Sequence, residues 1–206
     1  MTELDLSPLG ADPLGADYNP VAYWGIAGEI YEEWFSPEGY EIQEAALATV
    51  LRHLPFKTVL DVGCGFGRLG ELLHRIRPGV TYTGIDVSPH QIAALERRIP
   101  GSEVCVTPIL DFSPPPERRW DLVITAEVLM HQPAELIGPT VQRMLGWSSG
   151  WIVSCDWFEP DFPEQQNAWN VAHDYPGLYG DHLAKMIRVD RQAIFVAKAD
   201  NPGEEE

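Results

Sequence analysis

Residues 59–70 read Val59-Leu60-Asp61-Val62-Gly63-Cys64-Gly65-Phe66-Gly67-Arg68-Leu69-Gly70. A short apolar run passes into glycines at every second position, and then into a segment with leucines at helical spacing. Glycine lets the backbone take positive φ and approach a ligand closely. The helix beyond offers free N–H groups and a partial positive charge. A strand, a bare loop and a helix in that order form the opening unit of a parallel α/β sheet. Such a sheet binds its ligand at the carboxyl ends of its strands.

The remaining chain continues that pattern. Strands are expected at Thr58–Val62, Val80–Asp86, Glu103–Thr107, Trp120–Thr125 and Gly150–Cys155. Helices are expected at Glu41–Leu54, Gly67–Arg77, Ser88–Ile99 and Pro133–Leu145. Ser88-Pro89 is a favoured helix start, serine as cap and proline in the first turn. Met186–Val189 and Gln192–Ala197 read as a closing hairpin around Asp190-Arg191. Strands separated by single helices mean βαβ units and a mainly parallel sheet. Ahead of them, Tyr18–Phe35 is an aromatic, roughly helical segment, so residues 18–54 form an N-terminal cap on a domain spanning 18–199. Residues 1–17, where Pro-Leu-Gly-Ala-Asp occurs twice, read as a flexible arm, and 200–206 as a solvated acidic tail.

The loop's spacing narrows its ligand. A dinucleotide site calls for G-x-G-x-x-G. Here the third glycine comes one residue early, at Gly67, and arginine follows it. The strand also ends in Asp61, which suits an ammonium group and sits badly against a pyrophosphate. These departures favour S-adenosylmethionine over NAD or FAD. Asp86 ends the second strand about twenty residues beyond the loop, where an acid accepts both ribose hydroxyls. Its plainer role is to cap the following helix.

Composition sets the outer limits. A chain of 206 residues with 45% hydrophobic and 22% charged residues suits one globular domain. No apolar run approaches the ~20 residues needed to span a bilayer. The first residues lack a signal peptide's basic and apolar regions, which points to the cytoplasm. A net charge of −17 argues against nucleic-acid and membrane partners. Cys64, Cys105 and Cys155 form no CxxC pair, so they read as buried small hydrophobes, with no disulfide framework and no metal site.

Leu60–Gly67 and Gly84–Ser88 resemble motif I and the following acidic motif of the class I S-adenosylmethionine-dependent methyltransferases. Asp111-Phe112 and Trp120–His131 extend the likeness, which covers residues 57 to about 155. The resemblance implies a three-layer Rossmann-like α/β fold: a mainly parallel seven-stranded sheet with its last strand antiparallel, and helices on both faces. It also implies a set of cofactor contacts. Gly63, Cys64, Gly65 and Gly67 would shape the loop, with Asp61 under the methionine end. Asp86 would hold the ribose and Val87 pack on the adenine. Asp111 and Phe112 would meet the adenine's edge and face, although the rigid stretch from Pro114 to Arg119 weighs against that placement. Ala126 and Glu127 would lie beside the cofactor.

The acceptor side is read from the residues themselves. Methyl transfer is an in-line displacement that needs alignment and an acceptor lone pair, and a hydroxyl or ammonium acceptor also needs a base. His131, past the fourth strand, is the first candidate catalytic residue, with a structural histidine as the alternative. His173 is the second. Residues 157–183 form a long aromatic insert where the crevice opens, read as a substrate lid or as a packing flap over the sheet. Trp24, Asp156, Trp157, Trp169, Asp174 and Tyr175 are the candidate substrate contacts. The expected function is methyl transfer to an oxygen or nitrogen of a small molecule. A protein or RNA acceptor is the first alternative, and a non-catalytic or dinucleotide-binding module the second.

Overall fold

The computed structural model describes residues 7, 10–12, 14, 15, 17–34, 39–158 and 169–199. The expected acidic tail and most of the N-terminal arm lie outside these residues, as does the middle of the proposed lid.

Seven strands form one sheet in the order β3-β2-β1-β4-β5-β7-β6. They are β1 (Thr58–Val62), β2 (Thr81–Asp86), β3 (Glu103–Val106), β4 (Trp120–Ala126), β5 (Ser148–Trp157), β6 (Leu183–Val189) and β7 (Gln192–Lys198). β1 to β5 pair in parallel, and β7 runs antiparallel to both neighbours. The strand order reverses between β1 and β4, and such a switch point opens a crevice at the carboxyl ends. The helices are α1 (Pro20–Ala27), α2 (Tyr31–Trp34), α3 (Glu41–His53), α4 (Arg68–Ile76), α5 (Pro89–Arg98), α6 (Ala134–Trp147) and α7 (Tyr175–Tyr179).

Period-two alternation along the strands sorts their side chains between the two faces. Val59, Leu122, Ile124, Val153, Cys155, Ile194 and Val196 join the leucines of α3 and α4 and Ile92 and Leu95 of α5. Their neighbours Leu60, Val123, Ile152, Ala193 and Phe195 join Ile137, Val141 and Met144 of α6, with Tyr175 and Tyr179 of α7. The sheet is thus covered on both faces, the requirement for a parallel sheet.

Some boundaries differ from expectation for physical reasons. β5 runs on through Asp156 and Trp157 because β7, distant in sequence, pairs with them: Asp156 with Ala193 and Trp157 with Gln192. Cys64 and Cys155 are buried as expected. Cys105 is exposed, because β3 is the sheet's outer edge. Two arginines are paired with acids, Arg98 with Glu32 and Glu71, and Arg118 with Glu103. Among the described residues no helix is long and apolar enough to cross a membrane.

Candidate active site

The glycine loop turns on left-handed backbone, with φ of 71° at Gly63, 52° at Gly65 and 95° at Gly67. Gly63 and Cys64 both donate to the Ile85 carbonyl, at 2.8 and 3.0 Å, which fixes the loop across the end of β2. Two loops are joined by one carboxylate. Asp86 Oδ2 accepts the Gly65 N–H, and Oδ1 accepts the Ser88 N–H, both at 2.9 Å. The Ser88 hydroxyl caps α5, accepting from the Gln91 N–H. Asp86 is half-buried, and burial raises its pKa against the pull of those N–H donors.

Above this bend lies a cavity of about 380 Å³, within the range of small-molecule sites. Its lining includes the glycine loop, Asp61, Asp86, Val87 and Gln91, with Thr107–Leu110 on the rim. The lining also holds an aromatic and apolar group, Trp24, Met130, His131 and Trp169, with Tyr31 between this group and Phe66 of the glycine loop. Trp24 packs on His131 at 4.8 Å and edge-on against Tyr31 at 5.6 Å, while Trp169 stacks on His131 at 6.2 Å.

Three buried polar atoms of residues lining the cavity make no hydrogen bond. A buried group without a hydrogen bond is costly and calls for a ligand or a role. Asp61 Oδ2 accepts the Tyr82 hydroxyl at 2.7 Å, whereas its Oδ1 has no partner. Arg68 Nη1 makes no hydrogen bond; Glu44 Oε1 stands 3.7 Å away. Gln91 Oε1 is also unpartnered. A carboxyl oxygen, a guanidinium nitrogen already ion-paired with Glu44 and an amide oxygen thus belong to residues that line the same cavity.

Burial pushes the Asp61 carboxyl up to about 7, although the Tyr82 hydroxyl and the Arg68 guanidinium pull it down. An ammonium beside it would lower it again, so a cofactor bound with its ammonium there would bind with loss of a proton. S-adenosylhomocysteine affinity is expected to be about tenfold weaker at pH 6 than at pH 8. Calorimetry in both buffers checks this, and Asp61→Asn should flatten the dependence. The same raised value makes Asp61 favour the fold most at low pH. That contribution is complete below the ordinary 3.8 and is lost as pH rises through about 7.

His131 is buried at the end of the turn after β4. Its Nδ1 lies 2.5 Å from the Trp169 carbonyl. A carbonyl only accepts, so Nδ1 carries the proton and Nε2 a lone pair. Burial lowers its pKa to about 4, so the ring is neutral at neutral pH. Glu127, directly after β4, is in a left-handed conformation, φ 59°, and accepts from Gln192 Nε2. Such backbone persists in non-glycine residues only where surroundings impose it, often at functional sites.

Of the residues singled out in the sequence, Asp61, Gly63, Cys64, Gly65, Asp86, Val87, Ala126, Glu127, Trp24, His131 and Trp169 line the cavity. The others stand outside its lining. Gly67 is the cap residue of α4, where a Cβ would meet Leu95 at 3.1 Å. Asp111 is exposed, and Phe112 turns away to pack on Trp120 and Trp147 at 6.1 and 5.3 Å, so Thr107–Leu110 form the rim instead. Asp156 is buried in β5 and holds the Val128 and Met130 N–H groups. Trp157 is buried beside it, paired with Gln192. His173 Nε2 bonds the Gln132 carbonyl, Asp174 caps α7, and Tyr175 is packed on Phe195 in the core. From Asn170 onward the described part of the insert packs on the sheet through Tyr175 and Tyr179, while Trp169 lines the cavity. Tyr31, Arg68 and Gln91 escaped the sequence reading. Arg68 had a signal, a cation directly after the loop, but a buried glutamine or tyrosine on a helix leaves none.

A model for the methyltransferase domain matches residues 60–146. Trans-aconitate 2-methyltransferase from Paracidovorax citrulli is 29% identical over 107 residues, covering 52% of this chain and 37% of that protein. Ribosomal RNA large subunit methyltransferase G from Vibrio campbellii is 33% identical over 91 residues, 41% of this chain and 23% of that protein. The matched stretches are thus well under half the length of these relatives. Among solved structures, the DhpI–SAH complex superposes with a TM-score of 0.65 at 18% identity, covering 89% of this chain and 96% of that one. Sheet order, glycine loop and sequence match agree: residues 60–146 match a methyltransferase domain and lie on the Rossmann-like α/β fold that the solved neighbours share.

Proposed function

We propose that this chain transfers the methyl group of S-adenosylmethionine to an oxygen or nitrogen of a small acceptor with an apolar or aromatic body. The observation that carries this reading is that one cavity is lined both by the glycine loop with its carboxylates and by an aromatic group around His131. Asp61 Oδ1 would take the cofactor's ammonium, Arg68 Nη1 its carboxylate and Asp86 its ribose hydroxyls. Bound, the sulfonium supplies an activated methyl group, transferred by in-line displacement. The protein's work is then alignment and exclusion of water.

The aromatic group does that work. Trp24, Tyr31 and Trp169 offer flat faces for an apolar acceptor. The lone pair of His131 Nε2 orients a hydroxyl or amine by accepting its hydrogen. Burial opposes a charged imidazole, so His131 is a positioning group more than a proton store, and the proton displaced from the acceptor passes on to solvent as the products leave. It also adds no positive charge beside the sulfonium. His131→Ala is expected to lower kcat roughly ten- to a hundredfold, with S-adenosylhomocysteine affinity nearly unchanged. The wild-type kcat should show no inflection from this group between pH 6 and 8. Unchanged turnover in the variant would remove His131 from the reaction.

A relative named for a small acid supports the small-molecule reading, as does the net charge of −17. The relative named for ribosomal RNA favours the other class. A tritiated-methyl screen of small-molecule extract against RNA and protein fractions separates them. Label in the macromolecular fractions alone would overturn the proposal.

A further inference from the structure

Gln91 stands in the first turn of α5, five residues past Asp86, and is 5% exposed. Its Nε2 donates to the Gly28 carbonyl at 2.5 Å. That bond fixes the amide's orientation, because a carbonyl cannot donate. Oε1 is the other end, buried and without a donor. It overlooks the glycine loop: a Cβ placed on Gly65 would find this oxygen at 3.5 Å. Gly65 is itself bonded to Asp86, the acid expected to hold the ribose.

Gly28 joins α1 to α2, the segment that carries Trp24 and Tyr31 to the aromatic wall. A Cβ on Gly28 would lie 2.2 Å from Ser88 Oγ and 2.5 Å from Ser88 Cβ. Its carbonyl reaches Gln91 only because residue 28 has no side chain. One buried amide therefore touches the N-terminal cap at one end and overlooks the glycine loop at the other.

We propose that Gln91 is a latch coupling closure of the N-terminal cap to the cofactor, with Nε2 holding Gly28 and Oε1 accepting a hydrogen from the ribose diol. The proposal rests on the cavity being the S-adenosylmethionine site. A nucleoside hydroxyl on Oε1 holds the side chain in the orientation that keeps Gly28 seated. Trp24 and Tyr31 are then set in place after the cofactor arrives, so the cofactor binds first and the acceptor second.

Hydrogen exchange on the full chain tests this. The reporters are the N–H groups of Tyr23, Gly28, Glu29 and Ile30, all bonded within the cap. In the wild type, saturating S-adenosylhomocysteine should slow their exchange at least about tenfold, a shift readily resolved by this method. Adenosine should do the same, and 2′,3′-dideoxyadenosine should not. Gln91→Leu should weaken S-adenosylhomocysteine about tenfold, as for one lost hydrogen bond, and leave cap exchange insensitive to it. Gly28→Ala, which displaces the cap and keeps Gln91, should likewise give fast exchange with or without ligand. Wild-type-like protection in either variant overturns the latch. A wild type that binds S-adenosylhomocysteine with no change in cap exchange overturns the latch and leaves the cofactor site standing. A wild type that binds none overturns both.

Discussion

Asp86→Ala is expected to weaken S-adenosylhomocysteine binding by roughly 2–4 kcal/mol, about 30- to 1,000-fold by calorimetry. Two effects combine in this loss. The first is direct, because a carboxylate that accepts two sugar hydroxyls makes charge-assisted bonds that alanine cannot. The second comes through the fold. Each Asp86 oxygen already accepts one backbone N–H, from Gly65 and from Ser88. Removing the carboxylate frees the glycine loop from the start of α5 before any ligand arrives. Asp86→Asn separates the two effects. Its one carbonyl oxygen can keep one backbone bond but not the negative charge, so it should fall between wild type and alanine. Equal affinity in all three proteins would remove Asp86 from the site.

Gly63→Ala is expected to abolish detectable cofactor binding and to destabilise the fold by roughly 2–4 kcal/mol. Gly63 sits at φ 71°, where a side chain is strained, and its added Cβ would lie 2.4 Å from Val128 Cγ2. Val128 follows the strained Glu127, and its N–H is held by buried Asp156, so the clash falls on a segment with little freedom to yield. Gly79→Ala is the control. It has a similar φ of 86° but meets nothing within 4 Å. Backbone strain alone should cost it about 1 kcal/mol and leave the cofactor site intact. Denaturant melts read the first effect and calorimetry the second. Similar behaviour of the two variants would mean that contact with Val128 is not what requires glycine at residue 63.

The sheet was legible because its signals are local. Alternating apolar runs gave five strands and the hairpin, and Ser88-Pro89 marked a helix start that the structure bears out in its hydrogen bonds. The glycine-loop part of the cavity lining was legible for the same reason, since Asp61, Gly63, Gly65 and Asp86 all lie within a few residues of their own strand ends. The aromatic part was not, because its contacts come from separate parts of the chain. Trp24 and His131 are over a hundred residues apart and meet only when α1 folds across the end of β4. Tyr175 and Trp157 read as lid aromatics, yet hydrophobic burial against Phe195 and pairing with β7 claim them for the core. Phe112 was misplaced for a similar reason: two tryptophans, at positions 120 and 147, bury its ring better than an open rim. Asp156 read as a substrate contact because β5 was expected to end at Cys155, whereas it runs on to Trp157.

A crystal structure of the full chain with S-adenosylhomocysteine would test the central claim most directly. The nucleoside should lie over the glycine loop, with both ribose hydroxyls on Asp86 and the homocysteine nitrogen on Asp61 Oδ1. The ligand's sulfur should face the aromatic wall of Trp24, His131 and Trp169. A ligand seated elsewhere, or a ribose turned away from Asp86, would contradict it.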